Sequence, residues 1–139
     1  ELDLAYTKVG LPGLVELLQR VSLTRLSLAA VSDLARPHCS LREILPYLGG
    51  LQHLSLHGLQ SVKDVFVQSL VESCPLLETL NVSATAIKRA SMPCFLRLRK
   101  LRVVSTCWMF SVTRVGRRGS FHCVACSTAE SALLRAHSC

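Results

Sequence analysis

The side chains best suited to chemistry sit near the C-terminal end. Cys123 and Cys126 form a Cys-x-x-Cys behind His122, with His137 and Cys139 further on. That spacing lets two thiolates reach one zinc ion. A second tight pair is missing, and no strand-turn-helix pattern surrounds the motif as a redox centre would require. The spacing therefore reads as a chance feature of a Cys-bearing tail. His53, Ser55 and His57 alternate, so on a strand they point the same way. A bis-histidine metal site would need a third ligand from a neighbouring strand. The aligned places hold Arg25, Ser27, Thr79, Asn81 and Ser83, none of them a carboxylate or thiolate. No nucleophile triad or carboxylate pair is present. Gly10-Leu-Pro-Gly13 and Gly116-Arg-Arg-Gly119 lack the strand-then-helix context of a phosphate cradle. The sequence thus points to a non-catalytic chain with no metal and no cofactor.

Charge is the sharper signal. Residues 1–87 carry six basic and eight acidic side chains, whereas residues 88–139 carry ten basic and one acidic. Lys88, Arg89, Arg97, Arg99, Lys100, Arg102, Arg114, Arg117 and Arg118 follow one another without an intervening acid. Such a stretch suits an acidic protein segment or a polyanion. No aromatic residues are interleaved for base stacking, which argues against nucleic acid.

The elements that must position these residues follow from leucine spacing. Leu77-x-x-Leu80-x-Val82-x-x-Thr85-x-Ile87 has the pattern of one leucine-rich repeat, a short strand followed by an outward turn. Aligned on the Leu-x-Leu pair, the chain offers five such units: Leu2/Leu4, Leu26/Leu28, Leu54/Leu56, Leu80/Val82 and Leu101/Val103, at spacings of 24, 28, 26 and 21 residues. One unit cannot bury its own apolar side, so the units must stack. The segments between them read as returning helices. Leu11–Arg20 starts with Pro12 where a missing N–H costs nothing. Leu41–Leu48 should be distorted by Pro46. Lys63–Ser73 is expected to share a face of Val65, Phe66, Ser69, Leu70 and Ser73, and Ala90–Leu96 is expected to form a single turn. After each strand the turning position holds Thr7, Val31, Leu59, Thr85 or Thr106; Val and Leu offer no side-chain hydrogen bond, so the second and third turns should be looser. Past Trp108 the pattern stops. Residues 109–139 are expected to be a basic, weakly structured tail, with one short helix behind the capping box Ser127-Thr-Ala-Glu130.

Half the residues are apolar but only 5% are aromatic, as suits layers of aliphatic side chains. No apolar run approaches the ~18 residues of a membrane span. The seven cysteines are odd in number and irregularly spaced. That pattern favours a reducing, intracellular compartment, cytoplasmic or nuclear, over a disulfide framework. Asn81-Val82-Ser83 fits the glycosylation acceptor pattern but falls within a repeat strand, and reads as chance. The chain opens at Glu1 inside a strand-like motif, as an internal segment of a longer protein would.

Residues 69–87, Ser-Leu-Val-Glu-Ser-Cys-Pro-Leu-Leu-Glu-Thr-Leu-Asn-Val-Ser-Ala-Thr-Ala-Ile, resemble the repeats of F-box and leucine-rich repeat proteins, the Cys74-Pro75 step being the mark of that subtype within the ribonuclease-inhibitor-like class. The resemblance covers residues 1–108. It implies an α/β solenoid with a curved parallel sheet on the concave side and helices on the convex side. It also implies a substrate-recognition role in a Skp–cullin–F-box ubiquitin ligase, with the other ligase components held through a region not in this chain.

In the repeat frame, the outward positions of the strands form the expected contact face: Asp3, Arg25, Ser27, His53, Ser55, His57, Thr79, Asn81, Lys100 and Arg102. Their polar and basic character points to a protein substrate with an acidic or phosphorylated segment. The alternative is a leucine-rich repeat scaffold or regulatory protein whose basic C-terminal half binds an acidic partner or nucleic acid. No membrane partner is expected.

Overall fold

The computed structural model describes residues 1–36, 38–106, 112–115 and 121–123. Five short strands, β1 (Leu2–Asp3), β2 (Arg25–Ser27), β3 (His53–Ser55), β4 (Thr79–Asn81) and β5 (Val103–Ser105), form a parallel sheet in sequence order. Between them run helix α1 (Leu11–Arg20), the 3₁₀ helix η1 (Leu41–Tyr47), helix α2 (Asp64–Ser73) and the 3₁₀ helix η2 (Arg89–Arg97), making an α/β fold.

Each strand is two or three residues long, but the ladder between neighbours is wider than that. The carbonyls of Thr24, Gln52 and Glu78 each accept two consecutive N–H groups from the next strand's approach, at 2.7–3.2 Å. Beyond the strands, Leu28 N–H donates to Ser55 O, Leu56 N–H to Asn81 O and Val82 N–H to Ser105 O, at 2.8–2.9 Å. The same bonding geometry recurs from strand to strand, so one register holds the whole parallel sheet.

That register aligns Leu2, Leu26, Leu54, Leu80 and Val104. Leu101, expected beside Leu80, instead lies three residues short of that position. The spacing from Leu80 to its partner is therefore 24 residues, not 21. Two overlapping patterns fit the leucine spacing here, Leu98-x-x-Leu101-x-Val103 and Leu101-x-x-Val104-x-Thr106. The second wins because it puts the β-branched pair Val103-Val104 in the strand, where such side chains pack well, and buries Val104 completely. Thr106 consequently occupies the inward place held by Val82 just after the preceding strand, rather than a turning position, and is buried.

The central residue of each three-residue strand points into one continuous apolar cluster with the helical segments, including Leu14, Leu18, Ile44, Phe66, Leu70 and Phe95. On α2 the buried face is Phe66, Val67, Leu70 and Val71. Val65, expected inside, is exposed, so the helix is rotated from the expected face toward its bulkier apolar side. Pro46 and Pro93 lie inside η1 and η2. Each removes an N–H that an α-helix would bond four residues back, and both segments take the tighter 3₁₀ form. The second of these is longer than the single turn expected.

The turns after the strands share a backbone device. Tyr6, Ala30, Gly58 and Ala84, in equivalent places, all have φ between 51° and 77°, and three of them are not glycine. Val31 and Leu59 offer no hydroxyl, yet their N–H groups close the turn onto Leu28 O and Leu56 O at 3.4 and 3.2 Å, against 3.2 Å at Thr7. The third turn is as closed as the first and the second is slightly more open, and backbone bonding with the burial of Val31 and Leu59 holds both. Thr7 and Thr85 add a hydroxyl bond to Leu4 O and Val82 O, each at 2.7 Å.

Two further strands, β6 (Val112–Val115) and β7 (Phe121–Cys123), continue the sheet antiparallel, with Val103 opposite Arg114 and Thr113 opposite Cys123. These seven residues belong to the stretch 109–139 that was expected to be a weakly structured tail. Short extended runs on either side of Gly116-Arg-Arg-Gly119-Ser120 are the ordinary signal of a hairpin. The capping-box helix, and Cys126, His137 and Cys139 of the Cys-x-x-Cys set, lie outside the described residues.

Candidate functional site

In each three-residue strand, the two residues flanking the buried centre point away from the core. Parallel pairing lines them up in two rows that cross the strands. One row is Arg25, His53, Thr79 and Val103; the other is Asp3, Ser27, Ser55, Asn81 and Ser105. Together with Glu1 and adjoining strand backbone they line an open groove of about 320 Å³. Seven of the ten expected contact residues are gathered here: Asp3, Arg25, Ser27, His53, Ser55, Thr79 and Asn81.

Three are not. His57 lies past the end of β3, where its carbonyl accepts Ala30 N–H at 2.7 Å, and it does not line the groove. Lys100 belongs to the turn before β5. Arg102 is in the position of Glu78, Gln52 and Thr24, just ahead of the strand, with its N–H on Glu78 O at 2.8 Å and its guanidinium 3.8 Å from the Glu78 carboxylate. The three-residue shift of register is the physical reason: the fifth strand presents Val103 and Ser105 to the groove in place of Lys100 and Arg102. The regular spacing from Leu80 to Val104 was the signal that could have found them.

The groove side chains are small and mainly uncharged in its second half. His53 Nδ1 and Thr79 Oγ1 are hydrogen-bonded across neighbouring strands at 2.7 Å. Asp3 and Asn81 each accept the backbone N–H two residues on, from Ala5 at 2.9 Å and Ser83 at 3.0 Å, so these side chains also shape the turns that follow. Glu1, Asp3 and Arg25 put both signs of charge at the β1–β2 end. Hydroxyl, amide and imidazole groups thus stand in two rows, each able to donate or accept hydrogen bonds.

Among the described residues, no group of three His, Cys, Asp or Glu side chains comes together to hold a metal ion. No helix among them is long and apolar enough to cross a membrane. Away from the groove, Cys74 is fully buried at the end of α2, and burial pushes its thiol up to about 12. Asp64, at the start of α2, accepts the Ser91 hydroxyl and Lys88 N–H, the latter at 2.8 Å. Those bonds, the Ser91 hydroxyl first, hold its carboxyl below the usual range.

Comparisons with protein-family models, with curated proteins and with solved structures found no match.

Proposed function

We propose that the chain is a leucine-rich repeat solenoid of the F-box and leucine-rich repeat type, and that it works as a non-catalytic protein-binding module, the substrate-recognition segment of a ubiquitin-ligase receptor. The observation that carries this reading is the pair of polar rows, half-exposed across four or five strands, on a face opposite the apolar cluster. A flat array of hydroxyl, amide and imidazole groups, with no bulky apolar anchor, fits an extended peptide lying across the strands, whose backbone and polar side chains find partners at each step. The recurrence of 24 to 28 residues between aligned strand centres supports the repeat assignment. The Cys74-Pro75 step supports the subtype, with Cys74 buried where Leu48 and Leu98 stand in the neighbouring units.

Photo-crosslinking tests the reading. A benzoylphenylalanine replaces Ser55 in the groove, or Val65 on the exposed side of α2, in cells with the proteasome inhibited. Discrete adducts are expected from position 55 only, and ubiquitylation of the adducted proteins should fall when Ser55→Trp fills the groove. Equal adducts from both positions, or ubiquitylation indifferent to Ser55→Trp, would overturn it.

A further inference from the structure

The register that removes Lys100 and Arg102 from the groove gathers them elsewhere. We propose that the turn leading into β5, residues 97–102, is a second docking surface, separate from the groove, and that its partner is an acidic protein segment. Leu98 and Leu101 are buried, 2% and 4% exposed, so the turn is pinned from below. The four residues between and around them, Arg97, Arg99, Lys100 and Arg102, are all exposed.

Little nearby charge offsets them. Arg97 and Arg102 stand 3.9 and 3.8 Å from the carboxylates of Glu72 and Glu78, with the two arginine side chains 67% and 77% exposed. Ion pairs so open to water hold their partners weakly. Arg99 and Lys100 make no ion pair among the described residues. The equivalent turns before β3 and β4 hold Gly49-Gly50 and Pro75-Leu76, with Gln52 and Glu78 ahead of the strands. The positive charge therefore belongs to this turn alone and is not a stripe along the sheet.

A protein partner fits better than a nucleic acid. Phe95, the aromatic residue within the described stretch 88–106, is wholly buried, so that stretch offers no ring for bases to stack on. Three of the four cations are arginines, whose planar forks match carboxylates and phosphates alike, so the lack of a stacking ring in this stretch is what favours a protein segment. Arg102 also adjoins Val103, which lines the groove, so the two surfaces meet at β5, although the inference does not depend on the groove being occupied.

Fluorescence anisotropy with a labelled poly-glutamate peptide at physiological salt provides the test, with oligouridylate of equal net charge as the competing probe. Arg97→Gln/Arg99→Gln/Lys100→Gln/Arg102→Gln should weaken peptide binding about tenfold or more, the size expected for losing several charge-assisted contacts. A control variant, Arg20→Gln/Arg36→Gln/Arg42→Gln/Lys63→Gln, has the same net charge and should bind nearly as the unchanged chain does. The double variant Arg99→Gln/Lys100→Gln disturbs neither ion pair and guards against misfolding; it should show a smaller loss in the same direction. Absence of peptide binding by the unchanged chain, equal losses in the turn and control variants, or tighter binding of oligouridylate than of peptide would each overturn the proposal.

Discussion

Gly58→Ala isolates what the left-handed turns contribute. Gly58 has φ of 77°, and a Cβ placed on it would lie 3.6 Å from the nearest atoms, Cα and Cβ of Ala30. That is ordinary contact, so the substitution meets no steric wall and its effect is conformational. An L-residue in this region costs roughly 1–2 kcal/mol, which exceeds the ~0.4–1 kcal/mol gained by restricting the unfolded chain. Gly58→Ala should therefore lower stability by about 1 kcal/mol. The reverse change at Ala84, φ 55°, or Ala30, φ 51°, relieves the strain but restores freedom to the unfolded chain, leaving a net gain of similar size, about 1 kcal/mol. Urea unfolding followed by far-ultraviolet circular dichroism reads both: the midpoint moves while the slope stays constant. By heat, the Gly58→Ala loss is a shift of roughly 3–5 °C for a chain of this length. An unchanged or raised midpoint for Gly58→Ala, or a lowered one for Ala84→Gly, would refute the reasoning.

Asp64→Asn should destabilise the chain by at most about 1–2 kcal/mol, since two bonds to a largely solvated carboxylate are weakened. Because the folded pKa of Asp64 is lowered, its contribution is complete above the ordinary carboxylate range and is lost as pH falls through the folded value. Denaturation midpoints of the two proteins should therefore converge below about pH 4, and a constant gap would contradict this. Cys74, buried and pushed up to about 12, should resist an aromatic disulfide reagent in the native protein at mildly alkaline pH and react once urea is added. Peptide mapping identifies the labelled thiol, and native labelling of Cys74 at the rate of an open cysteine would count against the packing.

The first four strands were legible because Leu2, Leu26, Leu54 and Leu80 carry the spacing unambiguously and each is followed by a second inward aliphatic residue. The fifth was not, because Leu98, Leu101 and Val104 are themselves three apart and satisfy the pattern in two frames. Leucine identity favours the first frame, whereas the even spacing and the Val103-Val104 pair favour the second. The frame alone decides whether Lys100 and Arg102 or Val103 and Ser105 face the groove. The rotation of α2 is not legible in spacing, because Ser69 and Ser73 fit a helical stripe as well as Val67 and Val71 do. Only Gly58 advertised a left-handed turn; at Tyr6, Ala30 and Ala84 the ladder imposes that conformation on residues that do not favour it. β6 and β7 do not stand out at the repeat period because neither run carries the leucine spacing, and Val112-Thr113-Arg114-Val115 does not alternate apolar with polar residues.

The register at β5 decides which residues face the groove and which form the basic turn, and it can be observed directly. Scalar couplings through hydrogen bonds, recorded on isotope-labelled protein, pair each donor nitrogen with its acceptor carbonyl. Correlations are expected from Leu28 to Ser55, Leu56 to Asn81 and Val82 to Ser105. A correlation from Val82 to the carbonyl of Arg102 would return Lys100 and Arg102 to the groove face and contradict both surfaces described above.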